Sequence, residues 1–286
     1  MNRAQQLKES IESCFCSVLP NDTEFVIIDN ASTDETQCTI EGVFRGVNYR
    51  YYYEKLGENL GVGKGRNYAF SKATGEYVYF LDDDAYIDNS NNNSFFIDSI
   101  KILDDDKSIQ TLTTQIYDLL WHNNRVEIDG PIYKEGLYKC YRFCGGSHFL
   151  RKSFFEGTEP YFPNKYGLEE IFPSLRVVDE GGVNIFVPAL NVIHNPKYNK
   201  WTTDNKELLE KEVVCKYGMK SMVYPVCTIP VLYLAFVVRG IKALGLGRLI
   251  KVHKKIKEVK NTSVKTKRIR YSTLFSIYKD FGFSIF

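Results

Sequence analysis

Three consecutive aspartates, Asp82, Asp83 and Asp84, end the apolar run EYVYFL at 76–81. No basic residue stands beside them in the sequence, so their mutual repulsion opposes folding unless they are solvated or a cation sits among them. On spacing alone a solvated turn is the simpler reading. The alternative is a hard divalent cation, Mg²⁺ or Mn²⁺, which prefers oxygen ligands and completes its shell with substrate phosphates. A second acid, Asp29, ends a second apolar run, EFVII at 24–28, in the same way.

The elements that would position these acids follow from periodicity. QQLKESIESCF places Leu7, Ile11 and Phe15 at i, i+4 and i+8, one face of a helix. The β-branched run at 24–32 reads as a buried parallel strand, VNYRYYYE (47–54) as a second strand, and GKGRNYAFSKA (63–73) as a helix entered through a glycine-rich turn. EYVYFLD (76–82) is the third strand. This succession is a doubly wound α/β pattern, whose ligands bind beyond the carboxyl ends of the strands. Asp29 and the triplet thereby become one expected site. Downstream, 95–125 reads as helix then strand, and CGGSHFLRKSFFE (144–156) as a glycine turn, strand and helix start. Residues 167–182 read as a helix bearing two acids, and 183–196 as two short strands broken at Pro188.

Composition sets bounds. The chain has 286 residues, 44% hydrophobic and 25% charged, which excludes long disorder. The seven cysteines, at 14, 16, 38, 140, 144, 215 and 227, form no CxxC pair and read as scattered reduced thiols of a cytosolic protein. Four N-x-S/T matches, at Asn21, Asn30, Asn92 and Asn261, read as chance, because the polar start MNRAQQLKES is no secretory signal. The net charge of +2 conceals a segregation: residues 1–238 carry 24 Lys/Arg against 33 Asp/Glu, and residues 239–286 carry 13 against 2.

Three motifs in order, VIIDNASTDET (26–36), NLGVGKGRN (59–67) and ATGEYVYFLDDDAYI (73–87), resemble the inverting glycosyltransferase family 2. The resemblance continues in GLEEIFPSLRVVDEGGVNIFVPALNVIH (167–194) and covers about residues 2–200. It implies a GT-A fold, a Rossmann-like mixed sheet flanked by helices, over 1–205; composition and charge separately mark 206–286 as a basic, amphipathic helical membrane-associating region. The family's usual first apolar strand has no counterpart ahead of MNR, so either the true start lies upstream or the sheet lacks its central first strand.

Residue by residue, the resemblance implies that Asp29, with Asn30, hydrogen-bonds the nucleotide's base or ribose. Arg66 would lie near the nucleotide or its diphosphate, a task suited to a planar, permanently charged donor. Asp82 and Asp84 would form a DxD pair, with Asp84 the direct metal ligand and Asp83 turned away by strand alternation. Asp82 and Asp83 would also border the nucleotide. Gly145 and Gly146 would let backbone approach the donor sugar, and His194 would meet the metal or diphosphate. Glu170 is the expected general base, Glu169 beside it the other candidate, because a Glu stands where the family has Asp.

The tail adds a location. Residues 221–238 are uncharged but contain Pro225 and Pro230, which favours an interfacial or re-entrant segment over a span. RLIKVHKKIKEVK (248–260) places Leu249, Val252, Ile256 and Val259 on one stripe among lysines, the pattern of a helix lying on anionic lipid. No nucleic-acid recognition motif accompanies it. The expectation is a peripheral enzyme on the cytoplasmic face of the membrane. It would take a nucleotide-diphosphate sugar, a UDP-sugar foremost, and a divalent metal, and deliver to a saccharide or lipid-linked acceptor in bacterial cell-surface polysaccharide synthesis, in possible complex with other assembly enzymes. A nucleotidyltransferase and a non-catalytic scaffold descended from a transferase are the rival readings.

Overall fold

The computed structural model describes residues 1–164, 167–196, 206–256 and 266–286. Its first sheet is a parallel pair, β1 (Glu24–Asp29) and β2 (Arg50–Lys55), with register Glu24↔Arg50 to Asp29↔Lys55. Helices α1 (Ala4–Phe15) and α2 (Thr36–Val43) cover it through the expected stripe: Ile11, Ile40 and Phe44 are buried, with Leu7, Phe15 and Phe25 packed on them. Helix α3 (Val62–Lys72) leads back to the main sheet.

That sheet has eight strands: β3 (Tyr77–Leu81), β4 (Ala85–Ile87), β5 (Ile109–Asp118), β6 (Asn123–Asn124), β7 (Ile132–Lys134), β8 (Leu137–Lys139), β9 (Ser147–Arg151) and β10 (Val183–His194). Their order is β3-β9-β5-β10-β8-β7, with β4 on β10 and β6 on β5. β5 and β10 run parallel and the other pairs antiparallel, so the sheet is mixed. Helices α4 (Phe95–Asp105), α5 (Lys152–Phe155) and α6 (Ile171–Asp179) flank it.

Two expectations are corrected here. The segment at 183–194 is one strand, in which the ladder to β5 jumps between Val187 and Asn191. Pro188 has no N–H to donate and falls in that irregularity, so the strand accommodates it as a bulge and does not break. The helix expected at 167–182 is shorter, and its two acids precede it: Glu170 is the N-cap of α6.

β1 has β2 on one edge and β3 has β9 on one edge; among the described residues neither pairs on its other edge. Between them lies a cavity of about 740 Å³ lined consecutively by residues 22–29 and 73–81, with Leu7, Ile11 and Phe149. Consecutive lining means strand edges face the space, because a strand face alone would present alternate residues.

The C-terminal part is helical: α7 (Lys206–Val223), α8 (Ile229–Leu244), α9 (Leu246–Val252) and α10 (Tyr271–Phe281). Pro225 follows the end of α7 and Pro230 sits in the first turn of α8, so the prolines delimit helices instead of interrupting one. These helices share one apolar cluster with α6, including Ile171, Leu175, Tyr224, Leu232 and Phe236. The stripe Leu249, Val252 and Ile256 is buried in that cluster and not turned to the surface, which corrects the lipid-facing reading of it. Protein core offered it the same apolar contact that lipid would. Lys257, Val259 and Lys260 lie outside the described residues.

Candidate active site

The triplet leaves the strand at once. Asp82 N–H donates to the Gly146 carbonyl at 3.0 Å and Ala85 N–H to the Asp82 carbonyl at 3.1 Å, closing a turn. Strand alternation therefore ends at Leu81, and Asp82 and Asp84 take different partners. Asp82 pairs with one arginine, and Asp83 and Asp84 share another.

Asp82 meets Arg66, projected from the first turns of α3. Arg66 Nη2 donates to Asp82 Oδ1 at 2.7 Å and to the Gly145 carbonyl at 2.8 Å, while Nη1 donates to Glu169 Oε1. The guanidinium lies 5.7 Å over the Tyr161 ring. Its fork thus joins the end of β3 to the loop before α6, a bridge that a single ammonium cannot reproduce. Asn67 clamps the same wall by a reciprocal pair with the Tyr161 backbone, both bonds 2.8 Å. The two glycines make the closeness possible. A Cβ on Gly145 would lie 2.8 Å from Arg66 Nη1, and one on Gly146 would lie 3.1 Å from Asp82 Oδ2. Both glycines thus make room for the Arg66–Asp82 pair, a role distinct from the expected approach to a sugar.

Asp83 and Asp84 share Arg3, whose Nη1 lies 2.5 Å from Asp83 Oδ1 and 2.7 Å from Asp84 Oδ2. Asp83 is thus engaged and not turned away. Pairing of β4 with β10 sets Ala85 opposite His194, which brings His194 Nε2 to 3.5 Å from Asp84 Oδ1. His194 Nδ1 is held 2.8 Å from Oδ2 of the buried Asp118, at the end of β5. Burial works to raise the Asp84 pKa, but His194 and Arg3 outweigh it and hold the carboxyl below its ordinary value. For His194, burial opposes the charge, yet Asp84 and then Asp118 raise its pKa above the usual value.

Among the described residues no three His, Cys, Asp or Glu side chains form a ready cluster for a metal ion. Asp84 and His194 do fit as a two-ligand seat: an oxygen and an imidazole nitrogen 3.5 Å apart, with Asp118 holding the ring's other nitrogen as such carboxylates do for ligating histidines. Asp82, held by Arg66, is not in that seat.

Asp29 is buried, its Oδ1 accepting the Ser32 N–H at 2.9 Å and its Oδ2 the Tyr53 hydroxyl at 3.0 Å. Burial and this bond push the Tyr53 phenol well above its ordinary pKa. Asn30 Oδ1 accepts the Leu60 N–H at 3.3 Å, and Ala31 at φ 61° turns the chain. The loop is therefore fixed by its own side chains, with Asp29, Ser32, Arg3 and Asp83 on the wall of the large cavity.

The two glutamates differ. Glu169 is 3% exposed, pinned by Arg66, and its Oε2 is buried without a hydrogen-bond partner. Burial raises its pKa to about 7, against the pull of Arg66. Glu170 is 8% exposed, and among the described residues its carboxylate makes no hydrogen bond or ion pair; its charge is felt by the neighbouring Arg142. Sequence reasoning missed Arg3, Asp118 and Arg142. Asp118 could have been found, since it ends the apolar strand QIYD as Asp29 and Asp82 end theirs.

An α/β chain with a mixed sheet flanked by helices and acids gathered at strand ends has a GT-A architecture, and the comparisons agree. The structure is similar to S. aureus TarS 1-349 in complex with UDP-GlcNAc, at TM-score 0.60 and 17% identity over 84% of this chain and 70% of that one. It is similar to GalNAc-T7 with UDP, GalNAc and Mn²⁺, at 0.61 and 14% over 95% and 54%. It is also similar to the mannosyltransferase PcManGT of Pyrobaculum calidifontis with GDP-Man and Mn²⁺, at 0.59 and 14% over 97% and 76%. Residues 1–91 match the model of glycosyl transferase family 2. An uncharacterized protein of Haemophilus influenzae is 31% identical over 90 residues, 30% of this chain, which spans about half (47%) of that relative's length.

Proposed function

We propose that the protein is an inverting, divalent-metal-dependent glycosyltransferase that moves a sugar from a nucleotide diphosphate, UDP foremost, to a hydroxyl of a saccharide or lipid-linked acceptor. The observation that carries this reading is Arg66, which ties the strand-end Asp82 to Glu169 and so gathers three separated motifs within hydrogen-bond reach. The relatives solved with nucleotides, nucleotide sugars or Mn²⁺ support the substrate and metal classes.

In this reading Asp29 and Asn30 face the nucleoside, and Asp84 with His194 would hold a divalent metal. Bound there, such an ion would supply positive charge to offset that of a diphosphate leaving group. Glu170 takes the proton of the acceptor hydroxyl as its oxygen attacks the anomeric carbon opposite the leaving group. Its unpaired carboxylate suits this task better than Glu169, whose free oxygen is sealed and whose other oxygen is held. Glu169 positions Arg66.

The C-terminal helices would keep the enzyme at the cytoplasmic membrane face, in polysaccharide assembly. Val226–Leu244 is long and apolar enough to cross a membrane, with mean hydropathy 1.7 and only 17% of it buried. The reading retained is an interfacial helix, because its inward face packs on the cluster shared with α6.

The open cavity between β1 and β3 favours one rival, a binding protein without turnover. A panel of nucleotide sugars, screened with Mn²⁺ for thermal stabilisation and then for hydrolysis or transfer, separates the two. Stabilisation with turnover supports the enzyme, stabilisation alone supports the scaffold, and neither overturns both.

A further inference from the structure

A second cavity, about 480 Å³, lies between α7 and α8, away from the aspartates. Its walls are apolar, with Val213, Tyr217, Leu232 and Phe236 among them, yet four cations line it: Lys216 and Lys220 from α7, Arg239 and Lys242 from α8. One carboxylate side chain, Glu212, lines it with them. Among the described residues none of the four cations makes an ion pair with a carboxylate side chain. Lys220 is 1% exposed and donates to the Ile285 carbonyl at 2.6 Å, and Arg239 donates to the Phe286 oxygen at 2.6 Å. Arg142 adds a fifth positive charge nearby.

Positive charge concentrated in an apolar cavity is costly unless an anion joins it. The strain shows in Lys216, whose pKa burial and then Arg142 and Arg239 push down to about 8, and in Lys220, lowered well below its ordinary value by burial and then by Lys216, Arg142 and Arg239. The opposite face of α8 supplies the second half of the argument. Val231, Leu234, Val238 and Ile241 are 43–63% exposed, and Leu246 and Ile250 of α9 extend that surface. One helix thus presents an apolar face outward and lines a cationic cavity inward.

We propose that this cavity is a binding site for the phosphate headgroup of an acidic membrane lipid, its acyl chains lying against the exposed face of α8 and α9. Lys216 and Arg239 supply charge-assisted donors to phosphate oxygens, and the apolar walls receive the glycerol and first methylenes. A lipid with a terminal phosphomonoester, offering more charge and acceptors, fits better than a phosphodiester. The proposal rests on the membrane association proposed above for the source of its ligand, and shares no residue with the donor site.

Flotation of the full chain with vesicles tests it. Three compositions are compared: phosphatidylcholine alone, with phosphatidic acid, and with phosphatidylglycerol at equal net charge. At about 1 M salt, where surface charges are screened within about 3 Å, wild type should remain on the phosphatidic acid vesicles and leave the others. Lys216→Gln with Arg239→Gln should weaken that retention by about tenfold, as the loss of charge-assisted hydrogen bonds implies. Lys242→Glu, at the exposed rim, gives the same test should the double variant fold poorly. Equal retention on the two acidic vesicles, or wild-type retention by variants that remain folded, overturns the pocket. Stabilisation by inorganic phosphate equal to that by the phosphatidic acid vesicles overturns the lipid as its source. Loss of nucleotide-sugar turnover with lipid retention intact bears on the donor site alone.

Discussion

Two acids, Asp84 and Glu169, sit in surroundings that push them in opposite directions. Around Asp84, His194 and Arg3 lie close enough to hold the carboxyl's pKa below its ordinary value. Around Glu169, burial wins over Arg66, and the pKa rises to about 7. One place is built to keep negative charge and the other to tolerate a proton. Arg66 is the only group among the described residues that hydrogen-bonds to both an aspartate of the triplet and Glu169.

The comparison breaks most visibly at Glu170. Glu170→Gln should lower turnover by at least about 10²-fold while leaving donor affinity nearly unchanged, the signature of a lost general base and not a lost contact. Steady-state kinetics with calorimetry of the nucleotide reads both; a dead Glu169→Gln beside an active Glu170→Gln would reverse their roles. On the other side, Asp84→Asn should weaken Mn²⁺-dependent nucleotide binding by about tenfold or more, through loss of one charge-assisted ligand. Arg3→Ala should act oppositely and tighten Mn²⁺, because Arg3 now competes for the same oxygens. Titration of Mn²⁺ alone checks the pair, and weaker binding in Arg3→Ala would contradict the shared seat.

The smallest effect lies in pH. A carboxyl with a raised folded pKa binds more protons folded than unfolded, so its stabilisation is full below the unfolded value and is lost as pH rises through the folded one. For Glu169 that window runs from the ordinary 4.5 to about 7. Glu169→Gln should therefore flatten the fall in Tm across this range. An unchanged slope in thermal melts would show that another group carries it.

Much of this arrangement was legible in the sequence. The helix stripe Leu7, Ile11, Phe15, the strands ending in Asp29 and Leu81, and the elements around Gly145 all announce themselves by period and punctuation. What was not legible depends on chain reversal or on distant partners. Alternation placed Asp82 with Asp84, but it lapses in the turn closed by Ala85 and Asp82. Arg3 meets the triplet across 80 residues, and Asp118 meets His194 across 76, distances no local pattern spans. The stripe at Leu249, Val252 and Ile256 correctly marked a helix face, but periodicity does not distinguish a protein core from a membrane.

Arg66→Lys offers the most direct test of the claim that the two acidic groups form one active site. Lysine keeps the charge but lacks the fork, so it cannot hold Asp82 and Glu169 together. Nucleotide affinity and turnover measured on the same folded variant should both fall, each by about tenfold or more given the loss of two charge-assisted bonds. A variant that loses only one of the two, with the other at the wild-type value, would show two independent groups and contradict the account.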